Sequence, residues 1–562
     1  MLRYLLFKVS STGLPSVIVQ GERKQKSSFR LAAETSRLAA CAPQREVRLR
    51  GTRKVRAGLA LHARRARYPD KNGSADSRRR LILFYGRNSG EYRLVIGDCV
   101  ICLGPKIEFS RACVIAVVLA STTAALGQDT IPISRTNRSI LQPEEEAQIE
   151  QPSGFVAADH MMSDWGGWRE RLFAAGVEVF AFDNSIFNGN VSGGIHPGHA
   201  TIVNDAFAGL KFNLEKLFGW KGGLFVISGI DRAGSDLTTK YVGSIYSVQQ
   251  MVGGQRPFLY QVFLEQKLAH NMIRLKLGRF SASDDFNASP FYGYSLNNGI
   301  DGDIRNVLFD TRFSAYPFPV WAAALLLDPS PEWNMKFGIF QTSKDMFDNT
   351  EHGLDWSIRG EDGYTAIAQF GWTPQLFKQP VSSGASDGKG APAFVMKGMP
   401  GHYQVGVTFS QWDFYPRFLG GFEDHSYGFY VHADQMVYQE APGSDQGLYV
   451  FVASGYYPQS EISIVPFQIN AGLHYKGLFP GRDDDRTVLH FIYGHISDDY
   501  ARSVHVAGGH FADSEKVLEF GHRFQVTKWS YIQPDLQYVI DPGGTGDIPD
   551  AVVIGAQMGV TF

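Results

Sequence analysis

The last eleven residues, Val552-Val-Ile-Gly-Ala-Gln-Met-Gly-Val-Thr-Phe562, alternate in character with period two. Successive side chains of an extended strand point to opposite faces. Val552, Ile554, Ala556, Met558, Val560 and Phe562 therefore share one greasy face, and Val553, Gly555, Gln557, Gly559 and Thr561 share a mostly small or polar one. A soluble sheet packed on one side shows the same alternation, but it also suits the closing strand of a transmembrane barrel. The pattern recurs upstream. Tyr403, Val405, Val407 and Phe409 alternate with His402, Gln404, Thr408 and Ser410, and Phe467, Ile469, Ala471, Leu473 and Tyr475 with Gln468, Asn470, His474 and Lys476.

Further segments of this kind run through 206–212, 224–230, 260–268, 273–277, 335–339, 364–372, 427–437, 448–456, 488–493, 518–526 and 532–540. Roughly sixteen to eighteen are expected in all, each about 9–11 residues long, the length a tilted strand needs to cross a bilayer. Residues 128–562 contain no apolar run long enough for a spanning helix. Lipid offers the backbone no hydrogen bonds, so spanning by strands requires a closed barrel. The expected fold is all-β: a transmembrane antiparallel up-and-down β-barrel of about 16 strands, with a short helical segment before it at Trp165–Leu172. A soluble sandwich or propeller stays open on spacing alone. Against it stand aromatics at segment ends, Trp220, Trp321, Trp372, Trp412, Tyr456, Tyr457 and Trp529, which suit interfacial girdles.

The N-terminal part is a different material. Residues 1–80 hold 20 Lys and Arg against 5 Asp and Glu. Residues 106–127 then read as a signal peptide: Lys106 and Arg111, an apolar core from Ala112 to Ala120, and a cleavage site near Ala125-Leu-Gly127. Export machinery reads such a signal near a free N-terminus, so residues 1–105 are expected to be a mis-annotated or disordered basic extension. A real arm for nucleic acid or anionic membrane is the other reading. Residues 128–162, with Pro132, Pro143, Pro152 and three consecutive glutamates, read as a flexible periplasmic leader, and 163–562 as the barrel.

All four cysteines, Cys41, Cys99, Cys102 and Cys113, precede the expected cleavage. Cys99 and Cys102 have C-x-x-C spacing, but a zinc site wants a second pair or histidines at ligand spacing. Residues 128–562 carry 30 Lys and Arg against 48 Asp and Glu, a formal net charge of −18. So acidic a chain argues against nucleic acid as a partner.

Three blocks, Ser163-Asp-Trp-Gly-Gly-Trp-Arg-Glu-Arg-Leu172, Asn213-Leu-Glu-Lys-Leu-Phe-Gly-Trp-Lys-Gly-Gly223 and Ile532-Gln-Pro-Asp-Leu-Gln-Tyr-Val-Ile-Asp-Pro-Gly-Gly544, resemble motifs of the carbohydrate-selective porin (OprB) family. The likeness covers about residues 160–562. It implies an outer-membrane barrel of 16 strands that admits sugars such as glucose by passive diffusion, often as a homotrimer, with lipid and small sugars as its partners and no cofactor. A general diffusion porin or a structural barrel is the alternative.

Strand phase then nominates the lumen. Lys211, Gln261, Glu265, Lys267, Arg274, Lys276, Arg312, Gln404, His432, Asp434, Gln468, Asn470, His474, Glu519, Arg523, Asp535 and Gln537 are expected to face water inside. Paired carboxylates and guanidinium groups suit sugar hydroxyls, and Phe263 or Tyr430 could offer an aromatic face. Arg279 falls in phase with the leucines of Ile273–Leu277, so a bulge at Gly278 turns it inward or it sits at the water interface. For a folded-in constriction loop the candidates are Asp284, Asp285, Asn297, Asn298 and Asp301. Asp301-Gly-Asp303 lacks the remainder of a calcium loop, so no metal is assigned. The run Arg482–Arg486 reads as a solvated turn.

An outer-membrane hydrolase is the remaining function class. His490, His495, His505 and His510 lie close in sequence, but no Gly-x-Ser-x-Gly elbow occurs after the signal. The expectation is a channel and not an enzyme.

Overall fold

The computed structural model describes residues 81–86, 91–96, 99–103, 158–251, 256–348, 350–386, 392–506 and 510–562. The signal, most of the leader and most of the basic extension lie outside them. Within the extension, β1 (Leu81–Gly86), β2 (Glu91–Ile96) and β3 (Cys99–Leu103) form an antiparallel sheet in the order β1-β2-β3, in a unit spanning Pro43–Ile133 that is separate from the barrel.

The barrel opens with α1 (Trp168–Ala174), the expected short helix. Eight strands follow: β4 (Val177–Ser192), β5 (His199–Asn213), β6 (Gly223–Gly234), β7 (Pro257–Leu268), β8 (Ile273–Phe280), β9 (Val320–Ser330), β10 (Trp333–Thr342) and β11 (Gly363–Trp372). After β12 (Gln375–Ser386) come β13 (Pro392–Pro416), β14 (Phe422–Gln439), β15 (Gly447–Tyr456), β16 (Phe467–Lys476), β17 (Arg486–His495), β18 (Ser514–Thr527), β19 (Ser530–Ile540) and β20 (Ala551–Thr561). β20 pairs antiparallel with β4 and closes the ring.

β12 pairs only with the first part of β13, while residues 403–411 of β13 pair directly with β11. Of the seventeen strands in the ring order, β12 is thus an added hairpin arm, and sixteen make the wall. No described helix is long and apolar enough to cross a membrane. The start of β4 and the end of β20 share one end of the barrel. There Arg169 of α1 donates to the carbonyls of Phe562 at 2.8 Å and Val179 at 3.2 Å, fastening the helix over the closing seam.

The two faces of the wall follow the predicted phase. On β20, Ile554 and Met558 are 50% and 48% exposed, while Gln557 between them is 3% exposed. On β14, Tyr427, Phe429 and Val431 point out and Ser426, Tyr430, His432 and Asp434 point in. Trp220, Trp372 and Tyr456 are exposed on the outside as a girdle requires, but Trp412 and Tyr457 are buried. Tyr457 reaches the Thr408 hydroxyl at 3.1 Å, and Trp412 lies beneath Arg312.

Two strands of the wall, β4 and β9, lack the clean alternation of the others. In β4, Val177, Val179 and Ala181 share their apolar character with Phe180 and Phe182 on the opposite phase, and both phenylalanines pack on Phe207. In β9, the lumen positions Val320, Ala322, Ala324 and Leu326 are apolar because protein, not water, covers them. The cover is residues 281–319, the connection between β8 and β9. Phe263, Phe280, Phe340 and Phe286 form an edge-to-face chain from the wall into it, at 5.6, 5.7 and 5.8 Å between ring centres. Such pairs contribute about 0.5–1.5 kcal/mol each beyond their area.

Candidate pore constriction

Residues 281–319 leave β8 at the end opposite α1 and turn into the barrel. Backbone N–H and C=O groups inside need partners wherever water is excluded, and the wall supplies them. Tyr292 hydroxyl lies 2.9 Å from His432 Nδ1 on β14. Glu519 of β18 accepts from the Ser295 hydroxyl and from the N–H groups of Leu296 and Asn297, the last at 3.3 Å. Asn297 donates to Gln537 of β19 at 3.0 Å. Within this connection α2 (Arg305–Asp310) brings Asn306 to the Gly455 carbonyl of β15 at 2.9 Å, and its own N–H donates to Gln468 of β16. Asp310 accepts from Ile464 N–H at 2.7 Å. The loop therefore spans the barrel from β8 and β9 to the wall across from them.

A second segment, 235–251, packs alongside. Glu515 accepts from the N–H groups of Ile245 and Tyr246 at 2.7 and 3.0 Å, Asn298 accepts from Ser247 N–H, and Asn188 donates to the Val248 carbonyl. Between the two inserts and the wall, a small set of charged and aromatic groups keeps contact with solvent. Arg523 lies 4.2 Å from the Tyr294 ring centre and 4.0 Å from that of Tyr531, and Arg486 lies 4.7 Å from Tyr294. Arg523 donates to Gln533 at 2.8 Å and to the Gly293 carbonyl at 2.6 Å. Arg486, Arg523, Tyr294, Asp301 and Arg305 are each half-buried, and burial together with the charge of Glu519 pushes the Asp301 carboxyl well above the usual carboxylate range, against the pull of Arg523 and Arg232. Arg232 is buried in an ion pair with Asp205 at 3.3 Å, and the Tyr316 hydroxyl donates to the same carboxylate.

At the root of the loop the charges are dry. Lys276 pairs with Asp285 at 2.5 Å and lies over the rings of Phe263 and Phe280. Lys336 donates to the Asp285 carbonyl at 2.7 Å. Burial would raise the Asp285 carboxyl, but Lys276, Lys336 and Arg274 outweigh it and hold it below the usual carboxylate range. Asp303, buried with only Arg305 working against its desolvation, is pushed up to about 7.

Of the residues nominated from phase, Lys211, Glu265, Lys267, Arg274, Lys276, Glu519, Arg523 and Asp535 lie on the inward phase of their strands. Lys211 is paired with Glu178 at 2.6 Å and Arg274 with Asp328 at 3.1 Å. Two placements need correction. Arg279 keeps the outward phase beside Trp321, and residues 353–359 fold over it: it donates to the carbonyls of Asp355 and Pro319. Arg312 lies on no strand; it sits in the 281–319 loop just after α2, donates to the Ser343 carbonyl at 2.6 Å and covers Trp412 at 4.2 Å.

Among the loop candidates, Asp285, Asn297 and Asn298 are buried anchors, Asp284 accepts from Gln261 at 2.9 Å, and Asp301 alone reaches the solvated group. Phe263 and Tyr430 are buried too, Tyr430 donating to Gln369 at 2.6 Å; Tyr294 and Tyr531 are the half-buried rings against Arg523. Arg232, Arg305 and Arg486 went unnamed. Arg232 and Arg486 sit in phase two residues beyond recognised segments, at Ile230 and Val488, and that extension could have found them. The turn read as solvated is tightly built: Asp485 is buried and accepts from Arg482 twice at 2.7 Å, which aims Arg486 into the barrel.

A closed wall of sixteen strands, greasy outside and polar inside, with a connection folded across its lumen, defines a diffusion channel of the outer membrane. Residues 200–562 match the family described as carbohydrate-selective porin, OprB family; the chain belongs to it and is an outer-membrane carbohydrate channel, not an enzyme. Porin B of Pseudomonas aeruginosa is 26% identical over 442 residues, covering 72% of this chain and 91% of that protein. A putative porin, QuiX, of Acinetobacter baylyi is 23% identical over 447 residues, covering 74% and 96%. The structure of Pseudomonas putida OprB at high pH superposes with a TM-score of 0.64 at 23% identity, over 72% of this chain and 99% of that one, and so shares the fold.

Proposed function

We propose that the channel selects neutral monosaccharides such as glucose where Arg486 and Arg523 flank Tyr294 and Arg523 lies near Asp301. The reading is carried by one observation: two guanidinium groups within 5 Å of one solvent-reached tyrosine ring. Guanidinium and carboxylate groups bind vicinal hydroxyls in pairs, and a ring face packs against sugar C–H bonds. Diffusion is passive. Single-channel conductance with glucose, other monosaccharides and oligosaccharides as blockers tests this. Block by monosaccharides, weakened in Arg523→Gln, supports it; an open pore whose current no sugar alters would reduce the protein to a general porin.

The same proposal includes maturation by cleavage near Ala125–Gly127, a translation start near or somewhat before Lys106, and assembly as a homotrimer. The signal-like composition of 106–127 supports the first two, and the family resemblance supports the third. Mass spectrometry of the membrane-embedded protein tests them: a peptide from residues 22–80 in that fraction would remove the start-site reading. A detergent-corrected mass of one chain would remove the trimer.

A further inference from the structure

The ladder between β13 and β14 brings together three side chains that the sugar path does not use. His402 is the direct cross-strand partner of Asp434, and His432 lies two residues before Asp434 on the same inward face. Neighbours of this kind on one face of an antiparallel pair stand about 5 Å apart at Cβ, so their tips converge. His402 Nδ1 lies 3.3 Å and His432 Nε2 2.8 Å from the same Asp434 oxygen, and the three atoms are all within 4.8 Å of one another.

We infer that His402, His432 and Asp434 form a divalent transition-metal site in the lumen, with zinc as the ion the donor set fits best. Tetrahedral coordination at about 2.0–2.1 Å places ligand atoms about 3.3 Å apart. The present spacing needs only small side-chain movements to reach that. Two imidazoles and one carboxylate favour zinc, copper or cobalt over calcium or magnesium, which prefer oxygen. Ligating histidines usually have their second nitrogen held by an outer partner, and His432 Nδ1 has the Tyr292 hydroxyl at 2.9 Å. The His402 side chain is 21% exposed against 5% for Asp434, so the ion enters from the His402 side and a water completes its shell. Binding replaces the protons now shared between the imidazoles and the carboxylate. Tyr292 belongs to the folded-in loop, so the ion also braces that loop against β14.

His402 lies 30 residues before His432 and 32 before Asp434, and no short motif announces the three together. The test is metal binding by the intact detergent-solubilised protein after chelator treatment, followed by calorimetry with zinc and by visible absorption with cobalt. One zinc per chain is expected, with cobalt giving the intense bands of low coordination number. His402→Ala and Asp434→Asn should each weaken zinc by more than tenfold and Tyr292→Phe by about tenfold. His474→Ala, whose imidazole pairs with His490 at 2.7 Å and not with this cluster, should leave affinity unchanged. Circular dichroism confirms the barrel in each variant. Failure of the wild-type protein to bind zinc at submillimolar concentration would leave a hydrogen-bonded His-Asp-His cluster and overturn the site, as would retained binding in both His402→Ala and Asp434→Asn. Sugar block plays no part in the readout, so this inference and the proposed selectivity fail independently.

Discussion

Two cationic places in one lumen are built differently. Lys276 sits at the root of the folded-in loop with its side chain 4% exposed, opposite an Asp285 side chain that is 2% exposed. Arg523 stays half-buried, and its described hydrogen bonds go to an amide oxygen and a backbone carbonyl instead of a carboxylate. The first cation is matched by a charge and closed in by phenylalanine rings, so it holds the loop. The second is held by neutral oxygens and two tyrosine faces, which fix its position and leave its charge available. Burial against a carboxylate makes a fastening; support by neutral dipoles makes a recognition group.

The contrast breaks most visibly at the dry place. Lys276→Met leaves Asp285 buried without its main counter-charge and should lower stability by about 3–5 kcal/mol, read from chemical unfolding in detergent. Glu519→Ala is next. It removes the acceptor of two buried loop N–H groups, each costing about 1–3 kcal/mol when unmet, and should raise both open-channel current and its fluctuation. Unchanged current would mean that the loop does not set the conductance. Arg523→Gln should leave stability within about 0.5 kcal/mol and weaken sugar block about tenfold, or about 1.4 kcal/mol. A loss of stability as large as that of Lys276→Met would erase the distinction between the two places.

Two smaller effects sharpen it. Asp303 has its carboxyl pushed up to about 7 by burial, from an ordinary value of 3.8. Its folded state holds a proton that the unfolded chain releases, so the associated stability is full below the ordinary value and is lost as pH rises through about 7. Thermal unfolding should fall between acidic and mildly alkaline pH, and Asp303→Asn should flatten that difference. Gly455 faces Asn306 so closely that an added Cβ would lie 2.1 Å from Asn306 Oδ1. Gly455→Ala should therefore loosen α2 from the wall and increase current noise, with a modest change in unfolding.

Much of the wall was legible in the chain because the signal is local. Val405 and Gln404 differ in character for the same reason that they differ in direction: the pleat turns each residue over relative to its neighbour. Reading failed where a lumen face is covered by protein. Val320, Ala322 and Ala324 of β9, and Phe180 and Phe182 of β4, look like lipid-facing residues because the folded-in segments and packed rings have displaced the water they would otherwise meet. Phase put Arg279 with the leucines, where it stands, but could not show its partners, the carbonyls of Pro319, 40 residues later, and Asp355, 76 residues later.

The amino-acid order by itself determined the strand alternation, the closure that lipid demands, the acidic character of the barrel and the short helix that precedes it. Only the tertiary structure decided which lumen charges are fastenings and which stay open. The physical reason is distance along the chain. A side chain's face depends on its immediate neighbours, whereas the partner of Glu519 is Ser295, 224 residues away, and nothing in either local sequence encodes that meeting until the wall has closed around the loop.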